Sequence, residues 1–215
     1  MSETQTLFVA WAAAAVILVI FATRVGPKET RPWNLVLSQA SAPKRVSLTN
    51  LQLTLWTIVV LSMLTGLFVA RLVEDPASAL EFDIPPELLL AMGISATSTV
   101  FSSTVPQKDN PAAAAARSAA DSRPRLVNAM TTPTADGDQL EITRFQNFWI
   151  TIIVIAAYVA LAAATFGEID DADRFGSLPE LSGGIVTLLA ISHGGYLAKK
   201  TAEHVRTQNG QTGSS

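Results

Sequence analysis

Residues Asn147–Phe166 read NFWITIIVIAAYVALAAATF, twenty positions without an Asp, Glu, Lys or Arg. Coiled as an α-helix rising about 1.5 Å per residue, such a stretch matches the roughly 30 Å hydrocarbon core of a bilayer. A helix is suited to that solvent because it satisfies its own backbone N–H and C=O groups, which lipid cannot do. Four more stretches lack the same four residue types: Thr6–Thr23, Leu51–Ala70, Leu88–Val105 and Leu181–Ala198. Leaving an ionised side chain at the bilayer centre costs about 2.5–3.5 kcal/mol on insertion scales. Five charge-free runs therefore predict an all-α integral membrane protein with five transmembrane helices. The third and fifth runs are short and rich in Ser, Thr and Gly, so they are expected to need protein neighbours as well as lipid.

Composition points the same way. Of 215 residues, 49% are hydrophobic and only 15% charged, against about 25% charged in a soluble domain, and mean hydropathy is +0.33. Cysteine is absent, which excludes disulfides and thiolate metal sites. Two histidines, His193 and His204, are too few for a histidine-rich metal centre. Net charge is −3, and no basic patch suggests nucleic acid. There is no phosphate-cradling Gly-rich loop, no Gly-x-Ser-x-Gly and no His-Glu-x-x-His. The stretch GEIDDADRFG lacks the carboxylate spacing of a calcium loop and reads as a solvated acidic face. Neither an enzyme nor a cofactor or metal is expected.

Charge also predicts orientation. With five spans, thirteen of the fifteen basic residues fall on one side of the membrane. They lie after the first run, between the third and fourth, and after the fifth. Arg71 and Arg174 alone fall opposite, among the acidic turns Glu74–Glu87 and Glu168–Glu180. The positive-inside rule then places the N-terminus outside and the C-terminus in the cytoplasm of a cell with a cytoplasmic (inner) membrane. The start MSETQT is acidic and the apolar run behind it long, so the first run reads as a permanent anchor, not as a cleaved signal peptide.

The chain also repeats. SLTNLQLTLWT (47–57) resembles EITRFQNFWIT (141–151), pairing Thr49 with Thr143, Gln52 with Gln146, and Trp56 approximately with Trp149. Each copy continues into a proline-containing turn, FDIPPELL or SLPELSGG, and ends in a second apolar run where Ile94-Ser95 matches Ile191-Ser192. Two helical hairpins in the same orientation form a parallel repeat. With its Gln-x-x-x-Trp helix start and its GIS-x-G-x-Y-L helix end, best matched by 141–200, the chain resembles prokaryotic multi-pass membrane proteins with tandem two-helix repeats. The resemblance implies a shape and carries no activity with it.

The expected organisation is an N-terminal anchor and linker (1–46), a first repeat (47–105), a linker with a short Ala-rich helix (106–140), a second repeat (141–201) and a disordered tail (202–215). Within the second linker, Thr131–Asp138 is turn-rich and reads as a mobile loop.

Two clusters stand out as site candidates. Ser95, Ser98, Thr99 and Ser102 form a stripe at helical spacing on the third run, suited to helix packing or to lining a pore. The fifth run holds Ser192, His193, Gly194 and Gly195; a histidine inside a membrane raises a functional hypothesis. Its expected partner is Gln52 or Gln146, near the start of the second or fourth run. The expected function is a non-enzymatic membrane subunit, embedded in lipid, that forms homo-oligomers or anchors a larger membrane complex. The alternative is a small homo-oligomeric channel lined by the third or fifth helix.

Overall fold

A computed structural model of the chain describes residues 3–25, 28, 34–37, 45–77, 79–104, 125–134, 137–167, 177–195 and 198. The Ala-rich stretch and the C-terminal tail lie outside them. Each charge-free run is helical: α1 (Glu3–Arg24), α2 (Leu48–Glu74), α3 (Pro86–Thr104), α4 (Ile142–Gly167) and α5 (Gly183–Gly195). Three of these, α1, α2 and α4, are long and apolar enough to cross a membrane. The protein is a mainly helical membrane protein.

Helix starts follow from local chemistry. Ser47 caps α2 by accepting from the Asn50 backbone N–H at 3.4 Å. Pro86 occupies the first position of α3, where a missing N–H costs nothing. Ser182 opens α5, its Oγ accepting from Ile185 N–H at 3.4 Å. Hydroxyls inside the helices bond back one turn: Thr54 to Asn50, Thr57 to Leu53, Thr65 to Leu61 and Thr187 to Gly183. Each such bond hides a polar group within the helix itself.

The packing inverts that of a soluble protein. α1 buries Leu7, Trp11 and Ala14 at i, i+4 and i+7 and exposes Val9, Val16, Ile17, Val19, Ile20 and Phe21. A contiguous apolar face of that size fits lipid, not water. The inner stripe meets α2 at Gly66, where an added Cβ would lie 2.8 Å from Trp11 Cβ and 3.0 Å from its Cα. The two helix backbones approach closely there because Gly66 has no side chain. Trp11 also donates to Ser62 Oγ at 3.2 Å and meets the Phe166 ring edge-on, centroids 5.9 Å apart.

The main core joins α2 to α4. Trp56, Val60, Met63 and Leu67 face Val154, Tyr158, Ala162 and Phe166, with Leu88 and Ala91 of α3, Leu189 of α5 and Leu181 just before α5 around them. Tyr158 donates to the carbonyl of Pro179 at 3.1 Å, tying α4 to the turn before α5. That turn lies beside the turn before α3, since Asp83 and Ser177 form a parallel bridge with Leu178 N–H donating to Asp83 C=O at 3.3 Å.

At the other end, segments expected to be linkers form a folded cap. The stretch read from sequence as a mobile loop contributes paired strands instead: β1 (Thr131–Thr134) and β2 (Gly137–Leu140) form an antiparallel hairpin, with residues 135 and 136 outside the described residues. The hairpin is held from a distance. Arg45 donates from Nη1 and Nη2 to the two oxygens of Asp138 at 2.8 and 2.9 Å, and from Nη2 to Thr131 Oγ1 at 3.1 Å. Below it, Val36, Leu37, Val46 and Ala129 pack on Leu48, Leu51 and Phe148, a second core over the first turns of α2 and α4.

Two outcomes follow. Gly66→Leu forces α1 off α2, and overpacking of this kind costs about 1–3 kcal/mol. Thermal unfolding in detergent should show that loss. Gly93→Ala, whose Cβ meets nothing within 4 Å, should be neutral or slightly stabilising, since alanine is the better helix former. The second concerns Asp138, whose carboxyl is held below its usual 3.8 by the Arg45 hydrogen bonds and charge, together with Asn128 and Thr131. A lowered carboxylate pKa stabilises the fold above its unfolded value, and the gain is lost as pH falls through the folded one. Amide-exchange protection of the hairpin should therefore decline below about pH 3.8, and Asp138→Asn should flatten that dependence.

Candidate functional site

The inward stripes of α2, α4 and α5 are apolar along most of their length and turn polar near the cap. On α2 the stripe runs Thr49, Gln52, Trp56; on α4 it runs Asn147, Thr151, Val154, Tyr158. Both keep the three- and four-residue steps that hold side chains on one helix face. On α5 it ends at Ser192 and His193. Gln52, Asn147, Thr151 and His193 are each 1% exposed and Trp56 is fully buried.

Hydrogen bonds knot these residues together. Gln52 Nε2 donates to Asn147 Oδ1 at 3.0 Å and to Thr151 Oγ1 at 2.6 Å, which uses both of its hydrogens. Ser192 Oγ donates to the same Asn147 Oδ1 at 3.1 Å. Thr151 in turn donates to the Asn147 backbone carbonyl at 2.9 Å. One side-chain oxygen, that of Asn147, thus accepts from α2 and from α5 while standing on α4. His193 Nδ1 lies 2.9 Å from the Leu189 carbonyl. A carbonyl only accepts, so Nδ1 carries the hydrogen, and in the neutral ring Nε2 presents a lone pair.

Among the described residues the knot is incompletely satisfied. Gln52 Oε1, Trp56 Nε1, Asn147 Nδ2 and His193 Nε2 are buried without a hydrogen-bond partner. The set comprises two acceptors, Gln52 Oε1 and His193 Nε2, and two donors, Trp56 Nε1–H and Asn147 Nδ2–H. Each such atom left bare costs about 1–3 kcal/mol.

Gln52 and Ser192 meet at Asn147; His193, expected to bond Gln52 or Gln146, is buried and bonds the Leu189 carbonyl of its own helix instead. Gln146 does not join them, being exposed. One residue along a helix is a rotation of about 100°, and that step gives the inward position to Asn147. Trp56 and Trp149 part for the same reason, the first buried and the second 45% exposed. Gly194 and Gly195 are exposed and face away from the knot. The side chains of Ser95, Ser98, Thr99 and Ser102 lie outside the described residues, although the α3 backbone that carries them is helical. Asn147, Thr151 and Trp56 went unrecognised in the sequence. The signal was present in the i, i+4, i+7, i+11 run of Asn147, Thr151, Val154 and Tyr158.

Among the described residues no group of three or more His, Cys, Asp or Glu could hold a metal ion.

Asn147→Ala removes the shared acceptor, taking one of the hydrogen bonds of Gln52 Nε2 and the one from Ser192 Oγ. It should destabilise the protein by about 1–3 kcal/mol. Gln146→Ala, one position away on the exposed face, should stay within about 0.5 kcal/mol of the parent. Equal losses in reversible unfolding from the two variants would contradict the assignment. Comparison with known proteins adds no further constraint: no family model matches the sequence, and no curated protein or solved structure is found similar to it.

Proposed function

We propose that this chain is a non-enzymatic subunit of a membrane assembly, joined to a neighbouring membrane helix through the outer face of α5. The observation that carries the reading is the stripe Gly183, Thr187, Ala190 and Gly194, at i, i+4, i+7 and i+11, exposed along its whole length. Cβ atoms added at Gly183 and Gly194 would meet nothing within 4 Å, and the same holds for Gly93 and Gly195. In lipid, where burial of apolar surface drives little association, small residues let helices approach and gain van der Waals contact. This chain uses one glycine in that manner already, Gly66 against Trp11. The partner helix is a second copy of the chain in the simplest case.

The accompanying topology is five spans in the cytoplasmic membrane of a prokaryotic cell, N-terminus outside and C-terminus inside. The distribution of basic residues supports it. The contact between the turns at Asp83 and Ser177 fits two hairpins in the same orientation. So does the inward spacing of α2, where Gln52, Trp56, Met63 and Leu67 correspond to Asn147, Thr151, Tyr158 and Ala162 of α4. The channel reading is less well supported, because Ser192 and His193 turn toward α2 and α4 of their own chain.

The cysteine-free sequence allows a direct test. Thr187→Cys in native membranes should give disulfide-linked dimers on mild oxidation, or a single heterologous adduct if the partner is another protein. Leu189→Cys, on the buried face, should give neither. Adding Gly194→Leu to Thr187→Cys should abolish the adduct. A monomer by native mass spectrometry, with no adduct from Thr187→Cys, would overturn the reading.

A further inference from the structure

We propose that the polar knot between α2, α4 and α5 is a binding site for a small neutral molecule that both donates and accepts hydrogen bonds, water in the resting protein. The inference rests on the inward faces of these helices. It stands or falls separately from the association proposed for the outer face of α5.

The chemistry of the four unpartnered atoms selects the occupant. Gln52 Oε1 and His193 Nε2 each require a donor, and Trp56 Nε1–H and Asn147 Nδ2–H each require an acceptor. An ammonium or other cation could serve the first pair but would face the second pair as like-signed dipoles. A halide or other anion could serve the second pair and would be repelled by the first. Among the described residues the nearest charge on these stripes, that of Arg144 one turn before Asn147 on α4, is already paired with Glu141 at 2.8 Å. Water has two hydrogens and two lone pairs, the same complement as the four atoms. Hydroxyl- or amide-bearing solutes of similar size share that complement. Ordered waters in protein interiors commonly make about three hydrogen bonds to polar groups of this kind.

The residues that carry the four atoms are linked through Asn147 and the turns beside it. Gln52 and Trp56 are one turn apart on α2. Asn147 is bonded to Gln52 at 3.0 Å, and His193 adjoins Ser192, which is bonded to Asn147 at 3.1 Å. Apolar clusters close the knot along the helices on both sides: Val60, Met63 and Tyr158 on one, Leu48, Leu51 and Phe148 on the other. An occupant is thereby shielded from lipid and from bulk solvent, where its hydrogen bonds gain strength from the low local dielectric.

The test is solid-state NMR of the full-length protein in bilayers, labelled with 15N-histidine and 15N-tryptophan. Magnetisation transferred from water protons should reach the His193 ring and the Trp56 indole, and the His193 spectrum should show the Nδ1–H tautomer. Gln52→Met should weaken transfer to His193 while leaving the helices folded by circular dichroism. Titration with formamide separates the sources. Saturable loss of the water signal identifies a site open to small neutral solutes, and an unchanged signal identifies resident water; both support the proposal. Absence of water transfer in the unmodified protein would overturn it. Displacement of the signal by ammonium or bromide would overturn it as well, since either would make the knot an ion site.

Discussion

The side-chain oxygen of Asn147, accepting from Gln52 on one helix and Ser192 on another, is the interaction on which the arrangement of α2, α4 and α5 depends. Hydrophobic burial cannot hold helices together inside lipid as it does in water, because the tails outside are as apolar as the side chains inside. Packing and hydrogen bonds must do so. α4 has a well-filled apolar seam with α2 through Trp56, Met63, Tyr158 and Ala162. α5 is shorter and buries fewer large apolar residues, chiefly Leu189, with Leu181 just before its start. The Ser192 bond fixes its rotation. With Ser192 and His193 turned inward, Gly183, Thr187, Ala190 and Gly194 are necessarily turned outward, because a helix has only one face to give to each.

The knot is sealed by a part of the chain that is not in the membrane helices. Val36, Leu37, Val46 and Ala129 pack against the first turns of α2 and α4, directly below Gln52 and Asn147. That layer is itself pinned by Arg45 on Asp138 and by Asn50 Nδ2 donating to the Leu37 carbonyl at 2.9 Å. Polar side chains one or two turns inside a helix end would otherwise be within reach of interfacial water. Here they are confined between two apolar clusters, and their unpaired atoms become a specific demand on whatever occupies the space.

The helices were legible in the sequence because lipid imposes a simple criterion on them. Absence of charge over eighteen to twenty positions located all five helices. Three of them run several residues past those limits, to Glu3 and Arg24, Glu74, and Ile142. Helix ends carry charge readily where they leave the hydrocarbon. The site was legible only in part. Gln52 and His193 were conspicuous as polar letters, but matching Gln52 to Gln146 by identity ignored that facing is set by rotation. The spacing that matters pairs residues 95 apart, and it brings asparagine, not glutamine, to the interface. The hairpin was hidden for a different reason. Thr, Pro, Asp and Gly over 131–138 describe a turn, and what makes it a sheet is Arg45, placed 93 residues earlier. No local pattern encodes that contact.

Small residues play two distinct roles in this fold, and the difference between them is geometric. At Gly66 the missing side chain is filled at once by the backbone of α1, so the glycine belongs to the chain's own packing. At Gly183 and Gly194 the same absence leaves open space on a helix whose opposite face is fully engaged. Glycine in a helix interior costs about 1 kcal/mol against alanine. At Gly66, inside α2, close packing against α1 offsets that cost; Gly183 and Gly194 stand at the two ends of α5, where the cost is smaller and, among the described residues, no contact fills the space. A neighbouring helix would fill it in the same manner. Polarity on α5 is therefore arranged with its histidine buried inside the chain and its plainest residues exposed, which is the face the proposed association would use.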